Sequence, residues 1–107
     1  MQPLENWLNV CDLEDIPVRG ARRFETSLGE IAVFRTKDQS VYAIDNRCPH
    51  KNGPLSEGIV HDTGVTCPLH GWIIDLQSGE ARGADSGCVK TYPVKLAEGR
   101  VLVKTVL

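Results

Sequence analysis

Short apolar runs separated by turn-forming residues recur along the whole chain. They predict β-strands at 6–10, 20–25, 31–35, 41–44, 58–60, 65–66, 72–76, 89–96 and 100–104. Pro93 lies inside one of these runs, and because proline has no backbone N–H to donate, the run 89–96 is predicted to be an edge or bulged strand. No long segment has the apolar period of a helix. The pattern therefore predicts an all-β sandwich or small barrel.

The pattern also predicts which residues near the start of the chain enter the core. Trp7, Leu8 and Val10 in the first run and Phe24 in the second are expected to point inward. Residues 12–17 are expected to form a turn or one helical turn that a proline closes. Residues 28–30 are expected to form another turn, which leads into the dense β-forming run 31–35.

Length and charge limit the class of protein. A chain of 107 residues suits one domain, 1–107, with a modest hydrophobic core. Its formal charge of −2 gives no reason to expect nucleic acid or an anionic membrane as a partner. No apolar run approaches the roughly 20 residues that cross a bilayer, and no signal peptide is visible at the start of the sequence. These features predict a soluble, cytoplasmic protein.

Two groups of thiol and imidazole side chains lie on either side of the predicted hairpin 58–66. The first group is Cys48-Pro49-His50, and the second, sixteen residues later, is Cys67-Pro68-Leu69-His70-Gly71-Trp72. Each group offers one thiol and one imidazole, and the hairpin, with its turn at 61–64, would hold the groups side by side. We call the two groups the first arm and the second arm. Their four side chains have the chemistry to bind one inorganic centre.

Two kinds of centre fit four such ligands, beside the alternative of four unrelated loop residues. A zinc ion accepts two Cys and two His in a tetrahedral site, but the usual finger keeps its thiols together and its imidazoles together. The paired ligands of a finger are also further apart in sequence than Cys48 and His50 are. Here the order is Cys, His, Cys, His. That order favours a dinuclear cluster in which each arm reaches both metals.

The arms resemble the motif of the Rieske [2Fe–2S] family, in which two His replace two Cys on one iron. The proline after each cysteine and the glycine after His70 are also similar to that family. The resemblance implies that Cys48 and Cys67 bind one iron and that His50 and His70 bind the other. It further implies a Rieske-type β-sandwich that carries a small cluster-binding subdomain, at about residues 45–75.

The resemblance also gives an expectation for the reduction potential. High-potential Rieske proteins of respiratory complexes carry a disulfide over the cluster, at positions that look like Gly53 and Leu69 here. They also place a hydroxyl residue where this chain has Trp72. Fewer hydrogen bonds to the sulfurs leave the reduced cluster less stabilised. We expect a potential on the order of −150 mV, and a redox titration giving more than about +100 mV would contradict this.

Among small Rieske proteins without the disulfide, the tail of the chain favours one subfamily. Residues 75–81 and 83–94, together with the opening Trp7-Leu8-Asn9-Val10-Cys11, resemble the small subunit of assimilatory NAD(P)H nitrite reductase. The resemblance implies a non-catalytic subunit whose large partner carries FAD, a further iron–sulfur cluster and sirohaem and reduces nitrite to ammonia. The alternative is the ferredoxin of an aromatic-ring dioxygenase, with a reductase and an oxygenase as partners. Because some nitrite reductase small subunits lack the cluster ligands, a purely structural docking role is a further alternative.

The cysteines, the histidine and the aspartates considered outside the two arms are not expected to take part in chemistry. Cys11 and Cys88 are expected to be reduced thiols, buried or half-buried. His61 is expected at the solvent-exposed surface of a turn, and three aspartates are expected to be solvated turn residues: Asp45, Asp75 and Asp85. The residues expected at the rim that a partner meets are Arg47, Lys51, Leu69 and Trp72, of which Trp72 is expected to turn inward. No substrate site is expected on this chain.

Overall fold

The computed structural model describes residues 7–26, 29–37, 40–48, 53–68, 71–82 and 87–104. Within these residues the chain forms ten strands and two 3-10 helices, which confirms the all-β prediction. The 3-10 helices are Leu13–Asp15 and Leu55–Glu57. The strands are β1 Trp7–Asp12, β2 Gly20–Thr26, β3 Gly29–Arg35, β4 Val41–Asp45, β5 Ile59–His61, β6 Gly64–Thr66, β7 Ile73–Asp75, β8 Thr91–Tyr92, β9 Val94–Ala97 and β10 Arg100–Lys104.

The strands form three antiparallel sheets. The terminal sheet has the order β1-β10-β9, the central sheet β2-β3-β4-β8, and the arm sheet β5-β6-β7. In the arm sheet, β5 and β6 are the predicted hairpin, with His61 opposite Gly64 across the turn. Both cysteines of the proposed site lie next to strand ends, Cys48 after β4 and Cys67 directly after β6.

The central sheet is buried on both faces. Because successive side chains of a strand point to opposite faces, β3 supplies Ile31 and Val33 to one core and Ala32 and Phe34 to another. The basal core, between the central and terminal sheets, contains Ile16, Ile31, Val33, Ala43, Tyr92, Val101 and Val103. The arm core, on the other face, contains Ala32, Phe34, Ile44, Cys48, Leu55, Val60, Val65, Cys67, Ile74, Leu76 and Val89. The arm sheet therefore shares its core with the central sheet.

The prediction of one strand at 89–96 is wrong, because this segment contains two strands in different sheets. β8 pairs with β4 in the central sheet, and β9 pairs with β10 in the terminal sheet. Pro93 lies between them, where the missing N–H breaks no ladder bond, and its carbonyl accepts a hydrogen bond from the Lys104 N–H at 2.9 Å. The chain thus crosses from one layer of the sandwich to the other at this proline.

The first strand also differs from its prediction. β1 continues to Asp12 because β10 pairs with it along its length, with a bulge between Asn9 and Cys11. Leu8 was expected in the core but is 39% exposed. Val10 and Phe24 pack against the basal core as expected, and Trp7 is half-buried. The turn expected at 28–30 also needs correction, since β3 already begins at Gly29. No helix in the described ranges is long and apolar enough to cross a membrane.

Candidate metal centre

Each arm begins at a cysteine whose backbone closes a loop. The Cys48 N–H donates to the carbonyl of Gly53 at 2.8 Å, and the Cys67 N–H donates to the carbonyl of Trp72 at 2.7 Å. In both arms the bond joins the cysteine to the residue five positions later. The two arms are thus built alike at their bases, although their sequences differ. Each cysteine lies where the chain leaves the scaffold, and the residue that is bonded to it lies where the chain returns.

The second arm is the tip of the hairpin formed by β6 and β7. Thr66 pairs with Ile73 at the end of the ladder, directly before the bond between Cys67 and Trp72. Gly71 has φ +75°, a conformation that glycine adopts without strain, and its N–H returns to the Cys67 carbonyl at 3.1 Å. Trp72 is half-buried and packs against the arm core, which confirms its expected inward direction.

Both proposed sulfur ligands are buried in the same core. Cys48 is 1% exposed and Cys67 is 2% exposed, and both belong to the arm core beside Phe34 and Leu55. The four cysteines of the chain all lie in its described part, and none forms a disulfide. A hydrophobic shell that keeps water from a metal site controls its dielectric and its reduction potential. Two buried thiols at the bases of two closed loops therefore fit the sulfur side of an iron–sulfur cluster.

The two proposed imidazole ligands lie outside the described residues. In sequence, His50 falls between Cys48 and Gly53, and His70 falls between Cys67 and Trp72. Each closed loop therefore contains one histidine. Among the residues that the structure does describe, no three His, Cys, Asp or Glu side chains are grouped closely enough to hold a metal ion. The structure thus brings two of the four predicted ligands together.

Asp75, at the end of the strand that follows the second arm, was expected to be a solvated turn residue but belongs to a hydrogen-bond network. Asp75 ends β7 and is half-buried, and its carboxylate accepts hydrogen bonds from the Gln77 and Ser78 N–H groups at 2.8 and 3.1 Å. Arg82 donates to Asp75 at 3.3 Å and to the Thr63 hydroxyl at 3.0 Å. Partial burial opposes ionisation of Asp75, but these hydrogen bonds and the Arg82 charge outweigh it and lower its pKa.

Arg82 links the turn of the first hairpin of the arm sheet to the end of β7. Its backbone N–H donates to the Ile73 carbonyl at 2.8 Å, and a Cβ on Gly64 would lie only 2.9 Å from its guanidinium. The glycine leaves room for the arginine, which sequence reasoning missed. The weak signal for it was a lone Arg shortly after the strand that follows the second arm.

A second polar pair, which is partly buried, lies at the end of β4, before the first arm. The Tyr92 hydroxyl donates to the Asp45 carboxylate at 2.6 Å. Burial raises the pKa of Tyr92, and the hydrogen bond and charge of Asp45 raise it further. Asp45 is therefore bound to the scaffold, which corrects the expectation of a solvated turn residue. Asp85 lies outside the described residues.

The exposure predicted from the sequence is wrong for His61 and Cys88 and confirmed for Cys11. His61 was expected to be exposed, but it ends β5, is half-buried, and its Nε2 lies 2.7 Å from the Thr66 hydroxyl. Cys88 was expected to be buried or half-buried, but it is exposed because its segment forms only an isolated bridge with Glu80. Cys11 is half-buried as expected, and burial, followed by the charges of nearby aspartates, raises its pKa.

Only some of the residues expected at the rim that a partner meets lie within the described residues. Arg47 is exposed directly before Cys48, as predicted. Lys51 and Leu69 lie outside the described residues.

A residue that sequence reasoning did not single out, Asn46, is 6% exposed and is one of the two buried polar residues in the described core. Its only sequence signal is an amide side chain two positions before a proposed ligand.

The fold and the arms define a small all-β domain with two closed loops, each of which begins at a buried cysteine. The family model of the Rieske-like [2Fe-2S] domain matches residues 6–104, and the chain belongs to that family. Its cofactor is accordingly a Rieske-type [2Fe–2S] cluster, and it is an electron-transfer protein.

The chain is similar both to dioxygenase ferredoxins and to small subunits of nitrite reductase. The ferredoxin subunit of 3-phenylpropionate/cinnamic acid dioxygenase from Photorhabdus laumondii is 38% identical, over 90% of this chain and 91% of its own. The structure of a complex of oxygenase and ferredoxin in carbazole 1,9a-dioxygenase contains a chain with 28% identity, TM-score 0.84 and 94% coverage of both chains. A protein assigned as the small subunit of NADH-dependent nitrite reductase from Mycobacterium tuberculosis has 28% identity and TM-score 0.86, with 94% and 96% coverage.

Proposed function

We propose that Cys48 and Cys67 hold one iron of the cluster and that His50 and His70 hold the other. The burial of both thiols in one apolar core supports the sulfur half of this assignment. Two ferric ions, two sulfides and two thiolates have charges that cancel when both imidazoles are neutral. A four-thiolate cluster is more negative and accepts an electron less readily, which is why imidazole ligation raises the reduction potential.

When bound, the cluster accepts and releases one electron. The work of the chain is to hold it between two loops that are closed at their bases and to keep water from its sulfur side. The bonds from Cys48 to Gly53 and from Cys67 to Trp72 close the loops, and the arm core excludes water. His50 and His70 fall inside the two loops in sequence, and an electron would leave to a partner through their imidazole rings. This arrangement suits delivery of single electrons to a partner protein.

We propose further that the chain is the small subunit of an NAD(P)H-dependent nitrite reductase. The sequence carries this proposal, because residues 75–81 and 83–94 of the tail and residues 7–11 resemble that subfamily. Ala81 of the tail forms an isolated bridge with Ile74 of the arm sheet, and within the tail the Val89 N–H donates to the Gly79 carbonyl at 2.8 Å. The likeness to the Mycobacterium tuberculosis protein supports it. The partner would be a large subunit with FAD, an iron–sulfur cluster and sirohaem.

A second candidate is the ferredoxin component of an aromatic-ring dioxygenase. Sequence identity favours it, since the Photorhabdus laumondii dioxygenase ferredoxin is 38% identical whereas the Mycobacterium tuberculosis nitrite reductase protein is 28% identical. The partners would then be a reductase and an oxygenase. Both candidates use the same two arms and the same single-electron chemistry. Only the partner distinguishes them.

The test compares the two partners directly. The protein, isolated without oxygen, is added to a nitrite reductase large subunit with NADH or NADPH, and separately to a dioxygenase reductase and oxygenase with an aromatic substrate. We expect it to support nitrite reduction and not ring hydroxylation. The reverse result would replace the proposal with the second candidate.

Ligand variants separate electron transfer from a structural role. Cys67→Ser and His50→Ala are expected to abolish the EPR signal of the reduced cluster, whose average g value lies below that of an all-thiolate cluster. Cys88→Ser, which changes an exposed thiol outside the arms, is the matched control and should keep the signal. If Cys67→Ser assembles with the large subunit and supports full nitrite reduction, the chain has only a structural role.

A further inference from the structure

The two arms are held at their bases in different ways. The base of the second arm continues a strand ladder, in which Val65 pairs with Ile74 and Thr66 pairs with Ile73. The first arm leaves β4 and returns at the 3-10 helix Leu55–Glu57. Within the described residues 46–48 and 53–58, no strand pairing joins the two sides of this base. Apart from the bond between Cys48 and Gly53, the two sides of this base are therefore joined by contacts other than strand pairing.

Asn46 supplies such a contact through its side chain. Its Oδ1 accepts a hydrogen bond from the Ser56 N–H at 2.7 Å, and its Nδ2 donates to the Glu30 carboxylate at 2.8 Å. Because a backbone N–H can only donate and an ionised carboxylate can only accept, these partners fix the orientation of the amide. The Asn46 backbone N–H also donates to the Glu30 carbonyl at 3.0 Å. One buried residue thus joins β3, the end of β4 and the 3-10 helix.

These bonds enclose the loop that carries two of the proposed ligands. The bond between Asn46 and Ser56 lies outside the bond between Cys48 and Gly53, so the first arm is closed twice, and the outer closure depends on a side chain. A buried amide that loses one partner loses the full benefit of that bond, because water does not replace it. The position of Cys48, two residues after Asn46, therefore depends in part on Asn46.

We propose that Asn46 is a positioning residue of the cluster site, which sets the geometry of the first arm by replacing the strand ladder that the second arm has. This inference rests on the proposed assignment of Cys48 and His50 as ligands. It predicts that a change in the partners of Asn46 alters the bound cluster itself and not only the stability of the fold.

A charge swap tests the proposal. Asn46→Asp keeps the acceptor for Ser56 but places a carboxylate against that of Glu30. Asn46→Asp combined with Glu30→Gln restores a donor and an acceptor, since the new amide can donate to the new carboxylate. The control is Thr36→Val, in a different part of the fold. Thr36 is 1% exposed, and the substitution removes its hydroxyl, which donates to the Ser40 carbonyl. Each protein is isolated without oxygen and examined by EPR and by iron release to a chelator.

We expect Asn46→Asp to shift or broaden the EPR g values and to release iron about tenfold faster than the wild type. The double variant should recover both properties to within about twofold, and Thr36→Val should keep the wild-type g values. Wild-type behaviour of Asn46→Asp, no recovery in the double variant, or an equal change in Thr36→Val would overturn the proposal. Should the single variant not fold, the double variant decides, since a wild-type signal supports the proposal and a perturbed or missing signal contradicts it. Failure of the ligand assignment is distinguishable, because Cys67→Ser and His50→Ala would then keep the EPR signal of the wild type.

Discussion

Gly79 shows how one residue allows two segments of the tail to approach each other closely. Its φ is +80°, and a Cβ at this position would lie 2.3 Å from the Val89 carbonyl oxygen. The Val89 N–H donates to the Gly79 carbonyl at 2.8 Å, so the two backbones are in direct contact. Val89 in turn belongs to the arm core that contains both buried thiols. The close approach at Gly79 therefore brings the tail segment to the metal site.

Replacement of Gly79 by alanine should combine backbone strain with a steric clash. Gly99 has the same φ of +80° but open space where a Cβ would be, which makes Gly99→Ala a matched control. We expect Gly99→Ala to lower the free energy of unfolding by about 1 kcal/mol. Gly79→Ala should lower it by about 2–4 kcal/mol, because the clash adds to the strain. Urea unfolding measures both, and equal losses would show that the tail can move away from the added methyl group.

At the residue scale, the sequence predicted candidate ligands more readily than the residues that support them. Cys48, His50, Cys67 and His70 could be proposed because their chemistry and spacing are unusual. Asn46 could not, since its role depends on Glu30 and Ser56, which are distant in sequence and meet it only in the fold. The supporting contacts of a site are long-range hydrogen bonds between common residue types, and spacing carries little information about them.

At the scale of elements, β3 is the strand on which the whole arrangement depends. Its continuous apolar run, Ile31–Phe34, was sufficient to predict a strand but not which sheets it would contact. In the structure all four of these residues are 0% exposed and alternate between two cores. The crossing at Pro93 was similarly invisible, because a proline in an apolar run is compatible with an edge, a bulge or a change of sheet.

The two faces of β3 should be separable by substitution. Phe34→Leu and Val33→Ala each remove buried apolar volume and should each lower the free energy of unfolding by about 1–3 kcal/mol. Only Phe34 packs in the arm core with Cys48 and Cys67. We therefore expect the visible circular dichroism of the cluster to change in Phe34→Leu and to stay unchanged in Val33→Ala. Identical spectra in both variants would mean that the arm core does not transmit packing changes to the cluster.

At the scale of the whole molecule, the three sheets form three layers. The central sheet is the middle layer, and one core lies on each of its faces. The terminal sheet packs on one face of the central sheet through the basal core, and the arm sheet packs on the other through the arm core. The strands of the arm sheet have three residues each, which is the short end of the usual range for strands. A cluster that joins the two arms would therefore add stability mainly on this side of the molecule.

Loss of the cluster should accordingly open one side of the molecule and leave the other closed. In Cys67→Ser, which lacks one proposed ligand, we expect backbone amides of β5, β6 and β7 to exchange hydrogen at least about tenfold faster than in the wild type. Amides of β10 should change by less than about threefold, because the basal core contains no proposed ligand. Hydrogen exchange followed by mass spectrometry measures both regions at once, with Cys88→Ser as the control for loss of a thiol. Uniform acceleration in all three sheets would show that the layers unfold as one cooperative unit, and no acceleration in the arm sheet would show that the scaffold alone holds the arms.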